Sequence, residues 1–221
     1  QKENLIESFE IEESNIEEIN WNEEWEKKTN VIEVNDRIAI KPTFRDYTPK
    51  EKQLVITIDP KMSFGTGEHE TTKLVLQLLE KHINNAKRVL DVGSGTGVLG
   101  IASSLMGAEK VVAIDNDEWC LENGLENIAL NSVESKVEVR LAEIGDVKDD
   151  PFDLVLANIN KHILVDIVEP IIDSTVSGGT VVLSGLLISD REDIVSLYTE
   201  KGLTLIDEKR MGEWIALVFE K

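Results

Sequence analysis

From residue 54 onward the chain alternates short apolar runs with longer helical patterns, and this alternation restricts the fold more than any other feature. Leu54 to Ile58 is the first run, closed by Asp59-Pro60, and a helical pattern follows from about Glu70 to Lys81. Arg88–Val92 then precedes Val98–Met106, and Lys110–Ile114 precedes Glu118–Leu130. Further strand-like runs stand at Val137–Leu141, Leu154–Ala157 and Thr180–Leu183, with helical stretches at Ile163–Ser174 and Asp190–Lys201. Several of these strands are apolar at every position, as strands are when helices cover both faces of a sheet. The pattern predicts a doubly wound α/β fold with a mostly parallel sheet. Leu203–Ile206 and Trp214–Phe219 have no helix between them, only a turn at Met211-Gly212, so they predict a hairpin with one antiparallel strand.

Residues 1–54 read differently. The first 30 are polar and acidic, and Trp21 and Trp25 share one face of a short helix, expected to dock on the main domain. Val31–Val34 and Arg37–Lys41 form a candidate hairpin through Asn35-Asp36. We take 1–54 as an appendage and linker with too little apolar material for a core of its own, and 55–221 as the ligand-binding domain. The chain opens on Gln1 rather than Met, so further residues are expected upstream.

Composition narrows the function classes. Acidic residues outnumber basic ones 43 to 23, a net charge of −20, so free nucleic acid is not an expected partner and a basic protein is. No apolar run approaches the ~18 residues of a membrane span. Cys120 is the only cysteine, which excludes an internal disulfide and a multi-cysteine zinc site and fits a cytoplasmic setting. No two histidines have metal-ligand spacing, so no metal is expected.

The strongest local signal is Asp91-Val-Gly93-Ser-Gly95-Thr-Gly97, where an apolar strand runs into alternate glycines and then a helix. Glycines let the backbone turn sharply and approach a ligand, and the helix offers free N–H groups. The GxGxxG dinucleotide form is not met from Gly93, because its third position is Val98; from Gly95 it is met only through Gly100, inside the helix. Asp91, at the strand end, resembles the acid of methyltransferases that bind S-adenosylmethionine, where it can hold the ligand's ammonium directly or through water. Asp115 ends the next strand, 20 residues after Gly95, where a carboxylate accepts from ribose hydroxyls. Asp117 is read as an N-cap for the following helix.

A third strand, Asp153-Leu-Val-Leu-Ala-Asn158, delivers Asn158 to the carboxyl end of the sheet. Its amide can orient an amine or contact the ligand; the alternative is a helix N-cap. Ahead of the core, Phe64-Gly-Thr66-Gly-Glu-His69-Glu-Thr-Thr72 places two glycines in a tight loop and two hydroxyls at the start of a helix.

That loop resembles the FGTGxHxTT signature of the PrmA family, methyltransferases of ribosomal protein L11. The likeness continues through the glycine loop, the Ile114-Asp115 acid, Ala157-Asn158-Ile159 and Leu183-Ser-Gly-Leu-Leu187, and covers most of residues 20–221. It implies a Rossmann-like, seven-stranded class I methyltransferase fold and S-adenosylmethionine as methyl donor. It implies a large-subunit ribosomal protein as substrate, methylated on lysine side chains and the N-terminal α-amine. By this resemblance Thr72, Gly93, Asp115 and Asn158 fall at cofactor-binding positions. Phe64, Thr66, Asp91 and Gly95 shape the same pocket, and Asn158 is the expected catalytic residue. Family members carry a small N-terminal α+β domain that docks the ribosomal protein; here a short acidic stretch precedes the linker, so that domain is either trimmed or absent. A monomer is expected. His69 is read as a loop brace or a proton acceptor. The rival readings are a methyltransferase for another protein or a small molecule, a non-catalytic binding module, and a nicotinamide oxidoreductase.

Overall fold

Seven strands form one sheet in a computed structural model that describes residues 30–59, 61, 63–83 and 86–221. The paired tryptophans at 21 and 25 and the acidic stretch around them lie outside the described residues. In chain order the strands are β1 (Ile32–Glu33), β2 (Ile38–Lys41), β3 (Leu54–Thr57), β4 (Arg88–Val92), β5 (Lys110–Asp115), β6 (Val137–Leu141), β7 (Phe152–Asn158), β8 (Thr175–Leu187), β9 (Thr204–Met211) and β10 (Trp214–Glu220). The helices are α1 (Glu70–His82), α2 (Val98–Leu105), α3 (Glu118–Leu130), α4 (Lys161–Asp166), α5 (Val168–Asp173) and α6 (Arg191–Glu200). The large sheet has the order β6-β5-β4-β7-β8-β10-β9, and β10 alone runs antiparallel to its neighbours. The doubly wound sheet and its terminal hairpin are therefore as the sequence predicts.

Side chains alternate across a strand, so each central strand feeds two cores. Val89, Val111, Ala113, Leu154 and Leu156 face one side with α1 and α2. Leu90, Val112, Ile114, Val155 and Ala157 face the other, with Leu164, Ile194 and Tyr198 from the opposite helices. Helix α2 is buried at every residue but Leu105, because it covers the large sheet and is itself covered by β3. A helix apolar or small all round is the kind that can fill such a layer.

The hairpin β1–β2 forms as expected, and β3 then pairs with β2 in parallel, Ile38 opposite Leu54 and Ile40 opposite Ile56. This small sheet joins residues on both sides of position 54. Val34, Ile38 and Ile40 pack in the same core as Leu74 and Ile101. A polar seam on α3 secures it: Asn131 receives the Thr57 N–H (2.9 Å) and donates to its carbonyl (2.7 Å). One turn back, Asn127 receives the Asp59 N–H (2.9 Å), and Asn123 donates to the Asp59 carbonyl (3.0 Å).

Three elements differ from the pattern reading, the simplest being β9, expected over Leu203–Ile206 and observed over Thr204–Met211. The single helix expected over Ile163–Ser174 is broken at Ile167 into α4 and α5. Pro170 has no N–H to give the Asp166 carbonyl one turn earlier, so the ladder cannot run through. The strand expected at Thr180–Leu183 extends over Thr175–Leu187, with its register shifted opposite Phe152–Leu154. Gly178 and Gly179 hide it in the sequence, yet both pair with the backbone of Lys221.

Candidate functional site: a cleft at the carboxyl ends of the strands

The loops leaving β4, β5 and β7 diverge and leave a crevice, the place where open α/β sheets bind ligands. Two adjoining hollows of about 460 and 430 Å3 share Gly93, Asp115, Asn116, Ile159 and Ile163. The first reaches along Ala142–Gly145 towards Pro170; the second opens past Phe64, His69, Asn158 and Trp214.

The glycine loop forms the floor. Gly93 and Ser94 both donate to the Ile114 carbonyl (2.9 and 3.0 Å), which folds the loop over the end of β5. Gly95 N–H donates to Asp115 Oδ2 (2.9 Å), and Asp117 N–H to Asp115 Oδ1 (3.1 Å). Each carboxylate oxygen keeps a lone pair for a ligand. Gly95 has φ +53°, and a Cβ built on it would lie 2.3 Å from the Phe64 carbonyl oxygen, so only glycine fits. Asp117 caps α3, accepting from Trp119 N–H at 2.9 Å, as the sequence predicts.

Asp91 stands behind this floor, fully buried. Its Oδ2 accepts from Gly100 N–H (2.9 Å), while Oδ1 has no partner. Burial pushes its carboxyl up to about 7; the Gly100 bond opposes that shift and the nearby Asp115 charge adds to it. Gly100 therefore has a role that its place inside α2 conceals in the sequence.

On the facing wall, Asn158 ends β7. Its Nδ2 donates to Thr72 Oγ1 at 3.4 Å, and its buried Oδ1 has no partner. The N-cap of α4 is Asn160, so Asn158 is not spent as a cap. His69 caps α1, with Thr71 N–H at 3.3 Å and Thr71 Oγ1 at 2.8 Å from Nδ1. Nδ1 of His69, accepting from the Thr71 N–H, thus braces the loop where α1 begins. The His69 ring meets Trp214 edge-on at 4.7 Å and Phe64 at 5.5 Å, so three rings line one side of the opening.

Of the residues singled out from sequence, Phe64, Gly93, Gly95, Asp115 and Asn158 line the cleft. Thr72 and Asp91 lie behind its walls, both wholly buried. Thr66 turns its hydroxyl onto its own loop, accepting from Glu68 N–H at 3.3 Å. Trp214 escapes the sequence reading: it begins β10, and only the pairing of β10 with β8 carries it to the cleft. Cys120 lines the second hollow, its thiol pushed up by burial. Among the described residues no cluster of three or more His, Cys, Asp or Glu side chains could hold a metal, and no helix is long and apolar enough to cross a membrane.

The chain as a whole is similar to known proteins. A Ruminiclostridium cellulolyticum protein described as ribosomal protein L11 methyltransferase is 36% identical over 93% of this chain and 66% of its own length. One of the same description from Porphyromonas gingivalis is 39% identical over 91% of this chain and 70% of its own. The chain thus spans about two thirds of the length of the curated relatives it matches. The crystal structure of a ribosomal protein L11 methylase from Lactobacillus delbrueckii subsp. bulgaricus superimposes with a TM-score of 0.82 at 30% identity, covering 87% of this chain and 99% of that one. The family model described as Ribosomal protein L11 methyltransferase (PrmA) matches residues 1–221, and the chain belongs to that methyltransferase family.

Proposed function

We propose that this chain transfers methyl groups from S-adenosylmethionine to amino groups of ribosomal protein L11, on lysine side chains and the N-terminal α-amine. The residues present fit that donor. Gly93 and Gly95 leave the floor bare, since a Cβ on Gly93 would meet Ile159 Cγ2 at 2.4 Å. Asp115 borders both hollows with acceptor capacity for two ribose hydroxyls. The unpartnered Oδ1 of Asp91, buried behind the floor, lacks one donor, which a water bridging to the ligand's ammonium would supply. When bound, S-adenosylmethionine supplies an electrophilic methyl group on a sulfonium whose departure needs no protonation.

The protein's share is then to hold a neutral amine in line. A free lysine has a pKa of about 10.4 and an α-amine about 7.7 to 8.0. Packing against the His69 and Trp214 rings strips water from the nitrogen and disfavours its charged form. Asn158 Oδ1 accepts one N–H of the amine and turns its lone pair towards the donor side of the cleft. Positioning of this kind lowers a barrier by fixing reacting atoms at roughly 3 to 3.5 Å. The observation that carries the reading is Asn158 itself: it lines the cleft that Asp115 also borders, and its amide oxygen has no partner within the protein.

A net charge of −20 supports a basic protein rather than free nucleic acid as partner, and the single cysteine supports a cytoplasmic setting. In this reading residues 1–54 are an appendage and linker to the catalytic part at 55–221. Purified chain incubated with methyl-labelled S-adenosylmethionine and L11 should label L11, and S-adenosylhomocysteine should bind by calorimetry. Binding without transfer would remove the substrate assignment, and no binding at millimolar ligand would remove the whole reading.

A further inference from the structure

The floor and the ring-bearing loop are one hydrogen-bonded unit, and its joint is Thr96. This residue sits between Gly95 and Gly97 and is wholly buried. Every polar group it has is committed. Its N–H donates to the Phe64 carbonyl (2.9 Å) and its hydroxyl to the Gly65 carbonyl (2.7 Å). Its own carbonyl accepts from Asn127 Nδ2 (3.0 Å). The other end of the Asn127 amide receives Asp59 N–H, where the same loop leaves β3. Among the described residues, the backbone of Phe64–Gly67 is held to the rest of the domain by hydrogen bonds from Thr96 alone. Phe64 in turn touches His69, and His69 touches Trp214.

We propose that Thr96, seated by Asn127, is a positioning residue through which a ligand on the glycine loop sets the ring wall of the amine side. The proposal rests on the function given above. Ligand contacts at Gly93 and Gly95 restrain the loop; Thr96 passes that restraint to Phe64 and Gly65; the ring wall is then fixed at the opening. Amine placement and donor binding are thereby coupled through one side chain that touches neither. Such coupling needs a contiguous element whose geometry both sites bias.

The test separates a joint from a mere packing residue. Thr96→Val keeps size, shape and the N–H but loses the hydroxyl; Thr96→Ser keeps the hydroxyl. S-adenosylhomocysteine affinity of T96V, read by calorimetry, should stay within about threefold of wild type, while turnover on L11 falls roughly 10- to 100-fold and T96S recovers most of it. Equal losses of affinity and turnover, or no recovery with serine, would overturn the proposal. A second measurement uses the unaltered chain. By hydrogen exchange, S-adenosylhomocysteine should slow the amides of residues 65–69 together with those of 93–97. Protection at 93–97 with none at 65–69 would sink the coupling and leave the functional reading intact; no ligand binding at all would sink both.

Discussion

The floor of the cleft comes from one stretch of chain, Asp91 to Asp117, while the wall opposite it is assembled from residues 64, 69, 158 and 214. On the floor, neighbouring backbone does nearly everything: two N–H groups on the Ile114 carbonyl, two on the Asp115 carboxylate, and a glycine at φ +53°. The wall depends on packing between distant elements, a capped helix, a strand end and a hairpin. The difference teaches where each half is vulnerable. The floor should break at single positions of backbone geometry. The wall should weaken by degrees as individual side chains are trimmed.

The sharpest test of that contrast is Gly95→Val. Its new Cβ enters the Phe64 carbonyl at 2.3 Å and forces a strained φ, so S-adenosylhomocysteine affinity should fall at least about 100-fold by calorimetry. Next comes Asn158→Ala. Turnover on L11 should drop about 10- to 100-fold as the amine loses its acceptor, with cofactor affinity nearly unchanged. Parallel losses in both quantities would show that the two halves are not separable at this residue. Trp214→Ala should act more mildly, lowering turnover on L11 about fivefold as one of the three rings is lost.

Asp91→Asn bears on stability. An acid raised in the folded state keeps a proton that the unfolded chain has released. Stability therefore falls as pH rises from the unfolded value of 3.8 to about 7 in the folded protein. The ligand-free Asn variant should melt a few degrees above wild type at pH 8, and the gap should narrow below pH 7 and close only near pH 3.8. A gap independent of pH would mean that the carboxyl is ionised throughout.

Much of the fold was legible because its signals are local. Val89 and Leu90 go to opposite cores simply because strand side chains alternate, and the glycine loop follows directly from the strand that precedes it. What was hidden has physical causes as well. Pro170 breaks a helix from within its second half, and the pair Gly178-Gly179 masks the start of a strand that Phe152, opposite Thr175, and the backbone of Lys221 hold in place. The parallel pairing of β2 with β3 is invisible to any window of sequence, since it depends on which strands meet. Within the cleft, Gly93, Gly95 and Asp115 could be located by spacing alone, whereas the burial of Asp91 behind the floor could not.

The sequence by itself determined the order of elements and the bend at the end of β4, because periodicities of two and 3.6 residues and the demand for positive φ act between near neighbours. Only the tertiary structure decided that Phe64, Asn158 and Trp214 face one opening. Their meeting requires β8 to pair with β10, Leu187 opposite Trp214, and a loop pinned by Thr96. Burial of both sheet faces selects that pairing, and no segment of the chain contains it.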